Sequence, residues 1–177
     1  WQDFSSEPAI TIVEPEEDFP LPMFIAMDPP VHDDQRKTVQ GSVAPANLKL
    51  MEETIRARLQ KVLDDLPVGE QFDWVDRVSI ELTTQMLATL FDFPFEDRRK
   101  LTRWSDVATG DEESGIVESE EARQAELYEC LEYFTNLWNE RAERGESNDL
   151  VSMLAHGEAT KDMSPQEYLG NLILLIV

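Results

Sequence analysis

The chain reads as all-α. Apolar residues recur at steps of three and four through most of its length. Proline, hydroxyl and acidic residues stand where helix starts would need them. Apart from a short β-like run at Ala9-Ile10-Thr11-Ile12-Val13, nothing alternates in the manner of strands. At 177 residues the chain is long enough for one domain with a real core, and its 41% hydrophobic content supports one.

Residues 1–22 form an acidic, proline-rich lead-in, where Pro20, Pro22 and the acidic group around Glu16 favour an irregular, extended path. Met23-Phe24-Ile25 is a small apolar knot, open to two readings: core packing or the lining of a ligand pocket. Asp28 can act as an N-cap with Pro29 at the first helical position, so a helix is expected from Pro29 to about Val39, breaking near Gly41. Asn47 can cap the next helix, with Leu48, Met51, Ile55, Leu59, Val62, Leu63 and Leu66 as its apolar stripe and Pro67 and Gly69 as its end. Asp73 is the following cap. Trp74, Val75, Val78, Leu82, Met86, Leu87, Leu90 and Phe91 are expected on the buried side of that long helix.

Phe93-Pro94-Phe95 interrupts the pattern, and a shorter helix is expected over Glu96 to Ala108 with Leu101, Trp104 and Val107 inward. Gly110 to Ser119 is acidic, carries two glycines and reads as a surface loop. Ser119 can cap a helix whose inward stripe is Leu127, Cys130, Leu131, Phe134, Leu137 and Trp138; Glu120 and Glu121 suit its positive first turn. Within that stripe Cys130 reads as a small buried apolar residue. A short helix over Asp149 to Ala155 ends at His156-Gly157, which makes His156 a C-terminal charge partner rather than a catalyst. Ser164-Pro165-Gln166-Glu167 is a capping box with proline at the first position. The helix it starts is apolar on nearly every face and belongs in the centre of a larger protein.

With 37 acidic and 15 basic residues the net charge is −22, which argues against nucleic acid or an anionic membrane as a partner. No stretch approaches a transmembrane span, and a single cysteine is compatible with a reducing cytoplasm. The chain opens on Trp1 and stops inside the apolar run Leu172 to Val177, so we expect an internal fragment of a longer protein, a single partial domain over 1–177. Two histidines cannot make a three-histidine zinc site, and no nucleophile elbow or phosphate-binding glycine loop occurs. Glu16-Glu17, Asp33-Asp34, Asp64-Asp65 and Glu120-Glu121 read as solvated surface. No self-contained catalytic set is present.

One constellation remains. His32 and Arg36 stand one helical turn apart and share a face, either facing water or forming a compact site for a carboxylate or phosphate. The surrounding words shift the balance toward the second. Phe24-Ile25-Ala26-Met27-Asp28-Pro29-Pro30, followed by His32 and Arg36, closely resembles the C-helix region of bacterial cytochromes P-450. In the same order, Phe72 to Leu82 is similar to that family's E-helix start, Arg103-Trp104-Ser105-Asp106 to its F helix, Asn148 to Leu154 to its H segment, and Met163 to Val177 to the first half of its I helix. The resemblance runs from about Asp18 onward, and its wording is nearest to the soluble alkane-hydroxylating branch.

The resemblance implies a partial cytochrome P-450 fold, from the B–C loop to the first half of the I helix. It implies a parent enzyme that uses haem and O2 to hydroxylate aliphatic C–H bonds, terminally in medium-chain alkanes, with electrons from a ferredoxin and its ferredoxin reductase. His32 and Arg36 become the anchor for the haem propionates. Met23 and Ile25 from the loop, and Leu174 and Val177 from the last helix, become the substrate lining. Lys37 becomes a docking contact for the ferredoxin. Residues 110–119 would join the F and G helices, although their wording departs from the alkane-hydroxylating pattern. The haem-ligating cysteine, the oxygen-activation segment and the Glu-x-x-Arg pair are expected beyond Val177. Cys130 is rejected as iron ligand, because nothing around it matches Phe-x-x-Gly-x-x-x-Cys-x-Gly. The competing reading is an acidic, all-helical interaction module without a cofactor.

Overall fold

The computed structural model describes residues 3–9, 20–110 and 114–177, and the regular structure among them is entirely helical. The helices are α1 (Val31–Val39), α2 (Pro45–Asp64), α3 (Glu81–Leu90), α4 (Arg99–Thr109), α5 (Glu120–Arg144), α6 (Leu150–His156) and α7 (Pro165–Ile176). Short 3-10 turns lie at Phe24–Ala26 and Phe95–Asp97, and a wide π turn, Val75–Ile80, leads into α3. The β-like run beyond Ala9 and the Glu16-Glu17 pair lie outside the described residues. Among the described residues, no helix is long and apolar enough to cross a membrane.

The core sits where α4, α5, α6 and α7 meet. As the spacing predicts, Leu101, Trp104 and Val107 of α4 are buried, as are Leu127, Cys130, Phe134 and Leu137 of α5. Aromatic rings fill the centre: Phe93 stacks on Tyr133 with centroids 4.8 Å apart, Trp104 meets Phe93 edge-on at 6.2 Å, and Phe91 meets Phe134 at 5.5 Å. Such pairs add roughly 1 kcal/mol each beyond their area burial. Charged clamps tie the rim. Buried Arg141 of α5 donates to the Asp92 carbonyl at 2.7 Å and carboxylate at 3.0 Å, fixing the turn that ends α3. Glu81 accepts from Arg98 at 2.7 Å and Arg99 at 2.9 Å, joining the start of α3 to the start of α4.

The caps divide into kept and lost. Ser119 accepts from the Ala122 N–H at 3.2 Å, Asp149 from Ser152 at 2.9 Å and Ser164 from Glu167 at 3.2 Å, each opening its helix as expected. Asp73 also caps, accepting from Val75 at 2.8 Å. Asp28 does not cap α1. Its carboxylate is taken by Ser5 Oγ at 2.5 Å and the Ser6 N–H at 3.2 Å, and α1 starts two residues later than expected, after Pro30. Those donors, Ser5 foremost, hold the Asp28 carboxyl below the usual range. Asn47 does not cap α2 either: the helix opens at Pro45, and Asn47 donates back to the Gly41 carbonyl at 2.6 Å. The capping box of α7 is half-formed, because the Glu167 carboxylate turns to Gln35.

Two apolar stripes are less buried than their periodicity suggests. On α2 only Val62 is buried, while Leu48 and Leu63 stay exposed. Trp74 and Val75 are also exposed; the π turn shifts the helix face just after them, and burial begins at Val78.

Candidate functional site

The loop 20–27, α1 and α7 meet in one junction, built around the Phe24 peptide. Phe24 is buried, whereas its neighbours Met23 and Ile25 are half-buried and exposed. The apolar knot thus buries one side chain in the core and leaves the other two partly or largely accessible. The Phe24 N–H donates to Asn171 Oδ1 of α7 at 2.8 Å. The Phe24 carbonyl lies 2.8 Å from His32 Nδ1, and the two rings meet edge-on at 6.1 Å. A carbonyl only accepts, so Nδ1 carries the proton, and Nε2 is the ring nitrogen left for a ligand. Nε2 donates to an anion only when the imidazole is cationic.

A buried chain of amides backs this contact. Asn171, with no exposed surface, donates through Nδ2 to Gln35 Oε1 at 3.0 Å. Gln35 Nε2 in turn donates to Glu167 Oε1 at 2.6 Å. The polarity is fixed at both ends, by a backbone N–H that can only donate and a carboxylate that accepts. Next to Asn171, Gly170 lets the segment Leu21–Pro22 lie directly on α7; a Cβ there would run into the Pro22 carbonyl.

Arg36 is exposed, and among the described residues its guanidinium makes no hydrogen bond or ion pair. The same holds for the neighbouring Lys37 ammonium. Leu174 is half-buried and Val177 exposed; they lie about 4.5 and 9 Å along α7 from Asn171. Thus the junction joins His32, the Met23–Ile25 turn and α7, whereas no described contact links Arg36 to the Leu174 face. Cys130 is fully buried in the core, where burial pushes its thiol up and disfavours a thiolate. His156 donates through Nδ1 to the Ser152 carbonyl at 3.0 Å, within the last turn of α6.

Sequence reasoning did not single out Gln35, Gly170 or Asn171. Asn171 carried a signal: a lone amide inside an apolar run must find buried partners. Gln35 carried none, since it lies between His32 and Arg36 in a polar helix.

No protein-family model matches the chain. Solved structures do. Cytochrome P-450-153 from Novosphingobium aromaticivorans is 49% identical with a TM-score of 0.79, over 94% of this chain and 42% of that one. A P-450 from Sphingomonas sp. PAMC 26605 is 50% identical with a TM-score of 0.78, over 96% and 42%. Among curated proteins, linalool 8-monooxygenase of Pseudomonas putida is 28% identical over 155 residues, 87% of this chain and 38% of that protein. The chain spans about two fifths of the length of these relatives. Agreement of helix order, backbone path and half of the residues over nearly the whole chain has one explanation, common descent: the chain belongs to the cytochrome P-450 family.

Proposed function

We propose that the full-length protein is a haem-dependent monooxygenase that hydroxylates aliphatic C–H bonds, terminally in medium-chain alkanes. The observation that carries the reading is the His32–Arg36 pair: a ring with one nitrogen committed inward and one left over, a turn away from an unengaged guanidinium fork. Two propionate carboxylates suit this donor set, because Arg36 can bind a carboxylate bidentately and His32, as the imidazolium, can add its Nε2–H. Haem, when bound, supplies the oxygen activation that a monooxygenase needs.

The chain's own residues do the holding and shaping. His32 and Arg36 orient the propionates. Met23 and Ile25 from the loop, with Leu174 and Val177 from α7, line an apolar substrate space that excludes water and grips a hydrocarbon by dispersion. Lys37 contributes to docking a ferredoxin, itself reduced by a ferredoxin reductase, and the enzyme works in the cytoplasm. The alkane assignment draws support from the wording shared with the alkane-hydroxylating branch and from the apolar character of all four lining residues. A pocket of this kind separates chain lengths by only about 1 kcal/mol or slightly more per methylene.

The test is made on the full-length protein, expressed with haem precursors. It should give the reduced carbon-monoxide band of thiolate-ligated haem and, with ferredoxin, reductase and NAD(P)H, convert a medium-chain alkane to its 1-alcohol. A colourless, porphyrin-free protein overturns the reading. Haem binding with oxidation of other aliphatics but never of alkanes overturns only the substrate.

A further inference from the structure

Resting on the reading that His32 and Arg36 hold propionates, we propose that Asn171 is a positioning residue for that anchor: it fixes Phe24 through the N–H, and the Phe24 carbonyl holds the His32 ring in a single orientation, Nδ1–H inward and Nε2 outward. His32 alone does not choose which ring nitrogen faces inward. The choice is made by the acceptor facing Nδ1, here the Phe24 carbonyl at 2.8 Å. That carbonyl closes a turn of only three residues, accepting also from the Met27 N–H at 3.2 Å, so its direction depends on what holds residue Phe24 in place on its N–H side. The restraint is Asn171 Oδ1, 2.8 Å from the Phe24 nitrogen and 147 residues away in sequence.

Asn171 is in turn locked against rotation. Its Nδ2 donates to Gln35 Oε1 at 3.0 Å, and a flipped amide would aim two N–H groups at the Phe24 N–H. Gln35 is held by Glu167 at 2.6 Å. Gly170 brings the loop close enough for the contact to form. Helix α7 therefore reaches the anchor on α1 through one residue of the intervening loop, Phe24. A carboxylate ligand would always meet Nε2, never Nδ1.

The experiment uses the full-length holoprotein in its diamagnetic ferrous carbon-monoxide form. The ring nitrogens are labelled with 15N-histidine, and His32 is assigned through the His32→Gln variant. The wild type should show His32 protonated at Nδ1, and the Phe24 amide should exchange more slowly than that of Ile25. Asn171→Leu, with the same number of side-chain heavy atoms, should free the ring to turn between orientations, weakening the Nδ1 signature, and speed haem transfer to apomyoglobin about tenfold. In a His32→Ala background the same substitution should change haem loss less than twofold, which a general loss of packing would not produce. Gln35→Leu, which keeps the Oδ1 contact but unlocks the amide, should give a smaller effect of the same kind and serves if Asn171→Leu does not fold. An unchanged ring signature and Phe24 exchange rate in the variants overturns the proposal, as do multiplicative effects with His32→Ala. Should His32→Ala itself leave haem loss at the wild-type rate, the propionate reading falls, and the ring signature still decides the role of Asn171.

Discussion

The aromatic centre and the Phe24 junction are both buried, yet they are held together in opposite ways. Around Trp104 and Phe134, each ring touches several others, and no single contact fixes the arrangement. At the junction a line of single hydrogen bonds runs from Phe24 through Asn171 and Gln35 to Glu167, with one branch from Asn171 Nδ2 to the Met163 sulfur at 3.1 Å. The first design resists error, because dispersion is non-directional and its losses are graded. The second specifies geometry, because removing one member strands its neighbours without partners at about 1–3 kcal/mol each. Stability is therefore concentrated in the first region and orientation of the candidate site in the second.

Four substitutions in the full-length holoprotein break or sharpen that contrast. Trp104→Ala, at a fully buried site, should destabilise by about 4 kcal/mol in denaturant unfolding while leaving the His32 ring signature intact in the molecules that remain folded. Gly170→Ala should cost about 2–3 kcal/mol, because the added methyl must displace the Pro22 carbonyl. Unlike the first variant, it should also speed amide exchange at Phe24.

Glu81→Gln should cost about 2 kcal/mol at neutral pH, through charge-assisted bonds to Arg98 and Arg99. Burial would raise the Glu81 carboxyl, but Gln85, Arg98 and Arg99 outweigh it and hold the group below its ordinary value. Its contribution is thus present above the unfolded carboxylate range, roughly pH 4 and higher, and fades as pH falls through the lowered folded value. The gap between wild type and variant in urea midpoints should close in acid. Arg36→Ala, smallest in stability, should stay within about 0.5 kcal/mol of wild type yet raise the rate of haem loss. A variant that unfolds the protein instead would make Arg36 part of the scaffold rather than of the site.

Much of the first region was legible before any coordinates. Leu101, Trp104 and Val107, or Leu127, Cys130 and Phe134, announce a buried face by spacing alone, and Ser119 and Ser164 announce where their helices start. Local chemistry suffices for such features. The stripe on α2 misleads for the same reason: Leu48 and Leu63 have the right period, but periodicity says which side is apolar and not what covers it. Asp28 fails as a cap because Ser5 and Ser6, more than twenty residues away, compete for its carboxylate. The junction was half legible. His32 and Arg36 stood out as a pair, but the link from Phe24 to Asn171 joins the two ends of the chain, and no window of sequence contains both.

The π turn at Val75–Ile80 also bears on how this protein tolerates changes of length. A helix that accommodates one surplus residue as a bulge can shed it without resetting what comes after. Deleting a single residue between 75 and 80 should tighten the coil to ordinary winding and leave Trp74, at its start, facing nearly the same way. Glu81 and everything downstream would keep their present seats. The same deletion inside α4 or α7 would rotate half a helix out of the core. Among the described helical segments, this is the one where evolution could add or remove a residue with little disturbance.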